Sequence, residues 1–333
     1  MLVEDENARK SETCPDYCSG KPAENLLPNK HHTEGPVENN PSQQVVTRFA
    51  PSPNGLLHQG HAYSALNAWR ASRAPPPGGR FLLRIEDIDQ TRARPEYEQA
   101  IYADLEWLGI EWEKPVRRQS EHFDFYKSIL DQLEARGFLY PCFCTRKDIR
   151  DEIARSPAAP HGPEGPVYPG TCRRLDAAER SARIADDATY ARRFDCAAAL
   201  DSLPSRHLLW REWDALPQDG GVCTESRCDP LSMGDIILAR KETPASYHLA
   251  VVADDHLQGI NFVVRGKDLR HATPVQRLLQ VVLGYPAPDY FHHRLILDDD
   301  GARMAKRAGS QSLASLREAG VDPAELRRLF SME

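Results

Sequence analysis

Two histidines bracket a glycine at His58-Gln59-Gly60-His61, just after Arg48-Phe49-Ala50-Pro51-Ser52-Pro53-Asn54-Gly55. A strand, a Pro/Gly turn and paired histidines at a helix start form a phosphate-site pattern. Orphan backbone N–H groups and the helix dipole favour an anion at such a terminus. Gly60 allows a nucleotide to approach the backbone closely. His58 and His61 would donate hydrogen bonds to charge developing on a phosphate in a transition state. The plainer alternative is that both histidines only cap the helix.

Eight cysteines fall into three groups: Cys14 and Cys18; Cys142, Cys144 and Cys172; Cys196, Cys223 and Cys228. Nothing in the sequence points to an oxidising compartment, so metal ligation or plain burial is expected rather than a disulfide framework. Cys14 and Cys18 sit in a polar tail and read as incidental. Cys196, Cys223 and Cys228 have no comparable local pattern.

The elements that would hold these residues read as follows. Residues 1–43 have almost no apolar periodicity and read as a disordered extension. Gln44–Phe49 is a short β-branched run, expected as a buried strand. From Gly60, helical spacing puts Ala62, Ala65, Leu66 and Trp69 on one side, until Ala74–Gly79 breaks it. Phe81–Ile85 is a second strand, ending in Glu86-Asp87-Ile88-Asp89, and helices follow over 97–108 and 123–135. Strand–helix–strand–helix order argues for a parallel α/β sheet. Between about 140 and 232 the pattern loosens, with Pro and Gly clustered in 156–170, and reads as an inserted domain. Parallel α/β character returns with Asp235–Arg240, Tyr247–Val252 and Phe262–Arg265, and a helix follows over 274–283.

Composition narrows the class. Of 333 residues, 41% are hydrophobic and 27% charged, an ordinary globular balance. No apolar run approaches the roughly 18 residues that span a bilayer, and the acidic, polar N-terminus does not resemble a secretory signal. A cytoplasmic enzyme is expected. The net charge of −7 counts against extensive sequence-independent RNA binding, although charge can be segregated on one face.

RFAPSPNGLLHQGH (48–61) resembles the strand and "HIGH" signature that opens class I glutamyl- and glutaminyl-type tRNA synthetases. FLLRIEDID (81–89) is similar to their second block, and SYHLAVVADDHLQGINFVVRGKDL (246–269) to the block that completes the amino-acid pocket. ARMAKRAG (302–309) stands where that family has its "KMSKS" loop. The four blocks occur in family order and the resemblance covers about 45–330.

The resemblance implies ATP-dependent formation of glutamyl adenylate, with Mg²⁺ bridging phosphate oxygens. Free glutamate carries two carboxylates and one ammonium group. Arg48 and Arg265 match the carboxylate-binding arginines, suited by their bidentate fork. Ser52 is a nearby hydroxyl donor, Glu86 matches the carboxylate that holds the α-ammonium, and Tyr247 matches the phenol lining the pocket. Asp87 and Asp89 read as structural caps or members of a hydrogen-bond network. His58, His61 and Lys306 are the expected catalytic residues, with Gly60 part of the ATP site. The loop departs from the family pattern, with Arg303 for the first lysine and Ala305 for the serine. It keeps charge, and Lys306 would neutralise the β- and γ-phosphates.

Cys142, Cys144, Tyr168 and Cys172, in a CxC and a later YxxxC, resemble the zinc site of a truncated glutamyl-queuosine subfamily. One structural Zn²⁺ is therefore expected, as a staple for an irregular insertion; three reduced, buried cysteines are the alternative. The chain ends shortly after the loop, which with these cysteines implies that an anticodon-binding domain is lacking. The expected acceptor is then the queuosine base in the anticodon of tRNA(Asp), and the expected enzyme is a monomer. Three other readings stand beside it: a minimal synthetase charging a tRNA 3′ end, a ligase passing an adenylate to a small thiol or amine, and a non-catalytic paralogue.

The architecture expected is thus a class I synthetase-type, Rossmann-like parallel sheet split by an insertion. The expected segments are a 1–43 extension, a first catalytic half at 44–139, a zinc-containing, acceptor-binding-like insertion at 140–232, and a second catalytic half at 233–333.

Overall fold

Four consecutive buried residues, Val46-Thr47-Arg48-Phe49, form the strand β1 (Val46–Phe49), so its one charged side chain must be neutralised inside the protein. The computed structural model describes residues 44–73, 78–155, 161–162, 165–186, 188–296 and 311–330.

The helix α1 (Gln59–Ser72) follows β1 and packs against it. The strand β2 (Arg80–Ile85) then runs parallel to β1, and the helix α2 (Pro95–Trp107) leads to β3 (Glu113–Arg118), parallel to β2. Pro95 at the helix start, and Gly109 at φ +69° just past its end, bound α2. The helix α3 (Phe123–Ala135) buries Tyr126, Ile129, Leu130 and Leu133, spaced at the helical period. Each such side chain contributes roughly 1.5–3 kcal/mol by leaving water.

The middle of the chain holds β4 (Leu139–Cys142), α4 (Arg146–Arg155), the short pair β5 (His161–Gly162) and β6 (Gly165–Pro166), α5 (Ala177–Ala185), β7 (Ala191–Phe194) and α6 (Cys196–Asp201). Next come β8 (Leu209–Trp213), β9 (Cys223–Arg227) and β10 (Ile236–Ala239). The last part comprises α7 (Tyr247–Leu257), β11 (Phe262–Gly266), α8 (Thr273–Leu283), β12 (Asp289–His293), α9 (Leu313–Glu318) and α10 (Pro323–Leu329).

Two sheets carry the catalytic halves, one in the order β1-β2-β3 and one in the order β11-β12-β8-β9. They meet where β1 passes beside β11: Asn261 donates its N–H to the Val46 carbonyl at 3.1 Å and accepts the Val46 N–H on its side chain at 2.8 Å. Parallel α/β sheets bind ligands at such junctions, outside the strand carboxyl ends.

The strand pairing crosses the boundary expected at 232. β8 and β9 belong to the sheet of the second half, β8 pairing parallel to β12. β10, grouped above with the returning parallel elements, instead pairs antiparallel with β7 in a separate β10-β7-β4 sheet. Tyr247–Val252, grouped above among the returning α/β elements, opens the helix α7, which Ser246 caps by accepting the Leu249 N–H. β3 carries Lys114, Arg117 and Arg118 and is half-exposed, so it gave no apolar signal. The expected extension over 1–43 and the Lys306 loop lie outside the described residues. Among the described residues, no helix is long and apolar enough to cross a membrane.

Candidate active site and metal centre

The turn 50–55 is pinned from two sides. Pro51 accepts the Glu86 N–H at 3.0 Å and Pro53 accepts the Arg94 N–H at 2.9 Å. These contacts hold the end of β2 and the start of α2 against the segment leading to His58. A cavity of about 750 Å³ opens at the junction of the two sheets. Arg48, Ser52, His58, Gly60, His61, Glu86, Tyr247 and Arg265 all line it, so every expected amino-acid and nucleotide residue within the described segments faces one space. Lys306 lies outside the described residues. The residues on either side of its segment converge on the cavity: Ile296 is in the wall, and Ser312 bridges to His58.

The histidines both cap and line. His58 Nδ1 accepts the Gly60 N–H at 3.1 Å and His61 Nδ1 accepts the His58 N–H at 3.2 Å, with the rings 3.9 Å apart. In the neutral rings the proton therefore sits on Nε2 of each. The Gly60 N–H, at the helix start, is taken by His58. Gly60 matters sterically as well, because a Cβ there would stand 3.0 Å from His58 Cε1 and displace the ring.

The two arginines sit in opposite electrostatic settings. Arg48 is clamped by Asp255, Nε to Oδ1 at 2.9 Å and Nη2 to Oδ2 at 3.2 Å. Asp255 also accepts from Nη1 of the fully buried Arg84 at 2.7 Å, and Arg84 Nη2 reaches Glu86 at 3.2 Å. Burial pushes the Asp255 carboxyl up, but Arg48 and Arg84 more than offset this and hold it below the usual carboxylate range. The balance at Glu86 is reversed: burial dominates over Arg84 and Arg48, and its carboxyl is raised. A cation placed against Glu86 would restore its charge.

Arg265, 5% exposed, has neutral partners: His292 Nε2 at 3.1 Å, Gln276 Oε1 at 2.8 Å, Thr273 Oγ1 at 2.8 Å and Tyr247 Oη at 3.4 Å. Sequence reading missed Arg84, Asp255, Gln276 and His292. Arg84 and Asp255 lie inside quoted blocks, whereas Gln276 and His292 had no local signal. Asp87 accepts from Ser120 and Asp89 from Thr91.

A second cluster lies in the middle of the chain. Sγ atoms of Cys142, Cys144 and Cys172 all lie within 4.8 Å of one another. Tyr168 Oη is 3.5 Å from Cys142 Sγ and 3.6 Å from Cys144 Sγ, and accepts the Cys172 N–H at 2.9 Å. The local core around it is small, comprising Tyr140, Cys142, Tyr168 and Cys172 with a few half-buried neighbours. Three converging thiols are apt donors for a tetrahedral zinc ion, and the Tyr168 phenol beside them would be an unusual fourth ligand. Arg193 stacks 3.8 Å above the Tyr168 ring. Burial disfavours the Cys142 thiolate, but Arg193 and a Tyr168 hydrogen bond lower that thiol below its ordinary value. Cys196 and Cys228 are buried, with thiols raised by burial, and Cys223 accepts from Arg211, so this last group forms no comparable cluster.

Comparison with known proteins agrees with this geometry. The family described as class I tRNA synthetases for glutamate and glutamine (E and Q), catalytic domain, matches residues 44–332. A protein of Rhodobacter capsulatus named glutamyl-Q tRNA(Asp) synthetase is 43% identical over 290 residues, covering 86% of this chain and 100% of its own. A protein of the same name from Symbiobacterium thermophilum is 44% identical over 286 residues, covering 83% of this chain and 82% of its own. A crystal structure of a glutamate tRNA ligase from Elizabethkingia meningosepticum, in complex with its amino acid, superposes with a TM-score of 0.67 at 26% identity. That match covers 87% of this chain and 61% of the ligase.

Proposed function

The chain belongs to the class I tRNA synthetases of the glutamate and glutamine type, and on that premise we propose that it activates glutamate with ATP and passes the glutamyl group to queuosine in the anticodon of tRNA(Asp). The family makes it a ligase; the acceptor is the part proposed here. The observation that carries the acceptor is the match along the whole length of the Rhodobacter capsulatus protein, which is named glutamyl-Q tRNA(Asp) synthetase.

No protein nucleophile is needed. The glutamate α-carboxylate oxygen attacks the α-phosphorus of ATP and pyrophosphate leaves, giving glutamyl adenylate. A hydroxyl of the acceptor then attacks the acyl carbon, and AMP leaves. The protein contributes alignment and charge stabilisation. In this reading Arg48 and Arg265 meet the carboxylates of glutamate, Ser52 and Tyr247 add hydrogen bonds, and Glu86 takes the ammonium group, whose charge favours the ionised form of that raised carboxyl. His58 and His61 donate Nε2–H to the phosphates, Gly60 leaves room for them, and Lys306 neutralises the β- and γ-phosphates. Mg²⁺ accompanies ATP. Cys142, Cys144, Tyr168 and Cys172 hold one zinc ion, which would staple a segment whose own core is small.

A second reading, a minimal synthetase charging a tRNA 3′ end, draws on the likeness to a glutamate tRNA ligase. Labelled glutamate, ATP and Mg²⁺ supplied with tRNA(Asp), with and without queuosine and with and without the 3′-terminal adenosine, separate the two. Label that requires queuosine and survives loss of the terminal adenosine supports the proposal. Label on tRNA(Glu) that disappears with the terminal adenosine establishes the second reading instead.

A further inference from the structure

Arg265 lines the pocket with buried partners that are all neutral, and its orientation is traceable to a carboxylate one step further away. Its Nε–H donates to His292 Nε2, so that nitrogen must carry a lone pair and the imidazole proton must sit on Nδ1. Nδ1 faces both oxygens of Glu212, at 3.0 Å and 2.9 Å. Thr273 Oγ1 accepts from Arg265 Nη2 and lies 3.2 Å from the same His292 Nε2, which closes the ring of bonds. The His292 side chain is fully buried and that of Glu212 is 14% exposed.

We infer that Glu212 is a positioning residue for Arg265, acting through the tautomer of His292. Glu212 lies on β8, beside β12, which carries His292, and this is the strand that the sequence had assigned to the insertion. The arrangement solves a physical problem. A carboxylate bonded directly to Arg265 would orient the guanidinium but would also offset part of its charge. Interposing a neutral imidazole keeps the orientation and leaves the positive charge for a carboxylate of the substrate. His292 remains neutral because burial pushes it down to about 4, with Arg265 reinforcing and Glu212 opposing that shift. Among the described residues, no carboxylate pairs with Arg265 directly.

This inference rests on the glutamate-activation reading, and the test separates the two. Glutamate-dependent ATP–pyrophosphate exchange, with bulk tRNA present, is measured for the parent chain, Glu212→Ala, Glu212→Gln, His292→Phe and the Glu212→Ala/His292→Phe double variant. KM is taken separately for glutamate and for ATP. Loss of an orienting bond to a charged group should raise KM for glutamate about tenfold in Glu212→Ala and leave KM for ATP unchanged. Glu212→Gln keeps an acceptor for Nδ1–H and should rise only about threefold. The double variant should be no worse than His292→Phe, since the two residues act through one another. Parallel rises in both KM values, no rise in KM for glutamate, or effects that multiply in the double variant would overturn the inference. If Glu212→Ala does not fold, Glu212→Gln decides by the same split between substrates. Absence of glutamate-dependent exchange in the parent chain would defeat the activation reading itself.

Discussion

Asp255 holds Arg48 through two hydrogen bonds, at 2.9 Å and 3.2 Å, while accepting a third from Arg84 at 2.7 Å. One carboxylate is therefore shared by two buried guanidinium groups, and Arg84 also pairs with Glu86 at the cavity wall and with Asp254. Removing its charge leaves both arginines under-compensated in the interior. Asp255→Asn should cost about 3–5 kcal/mol of stability, the range for breaking a buried ion pair by one partner. Urea unfolding measures it; a loss below about 1 kcal/mol would mean that solvent reaches Arg48 and Arg84.

Lys306 is the expected phosphate cation, and its segment is flanked by Ile296 in the cavity wall and Ser312 bridged to His58. Lys306→Ala should lower glutamate-dependent pyrophosphate exchange by on the order of 100-fold, as for loss of one transition-state contact. The unfolding midpoint should stay where it was, and an unchanged exchange rate would remove Lys306 from its assigned role.

The Cys142, Cys144, Tyr168 and Cys172 cluster should carry about one zinc ion per chain, readable by elemental analysis of the purified protein. Cys172→Ser should abolish stoichiometric zinc and lower Tm by on the order of 10 °C, since metal binding here contributes to folding. Metal-free protein with an unaltered Tm would favour three merely buried thiols.

Asp104 on α2 is fully buried, and neither carboxylate oxygen has a hydrogen-bond partner among the described residues. Burial pushes its carboxyl up from 3.8 to about 6, with Arg317 of α9 at 3.5 Å only partly opposing. The folded value exceeds the unfolded one, so the folded chain binds this proton more tightly. Stability from this group falls as pH rises from 3.8 to about 6 and is level above that window. Asp104→Asn should therefore stabilise the protein by about 1–3 kcal/mol at neutral pH. The gain should shrink towards zero near pH 4. Tm measured across that range checks the sign; a gain that grows towards acid pH would contradict it.

Much of the site could be read from the sequence because its residues sit in short ordered blocks. The run from Arg48 to His61 is a strand, a turn and a capped helix start, each set by nearby residues, so local rules placed it. The roles expected of Glu86, and of the CxC pair with Tyr168 and Cys172, came instead from the resemblance of their short blocks to a known family. The extent of the insertion was not legible. β8 joins β12 across roughly 80 residues of sequence, a pairing fixed by which edge lies open in the folded sheet rather than by β8 itself. β10 was misassigned for the same reason: its apolar run fits a parallel or an antiparallel neighbour equally well, and only the position of β7 decided between them.

The sequence by itself determined the residue types that the chemistry needs, their order, and the local elements that present them. Tertiary structure alone decided which charges remain available. Arg48 and Arg265 are identical as letters, yet Asp255, 207 positions away, forms an ion pair with the first. Arg265 instead meets a neutral ring whose proton is directed by Glu212, a further 80 positions from that ring. Electrostatic interactions depend on distance in space and on burial, and neither is written in the spacing of residues along a chain.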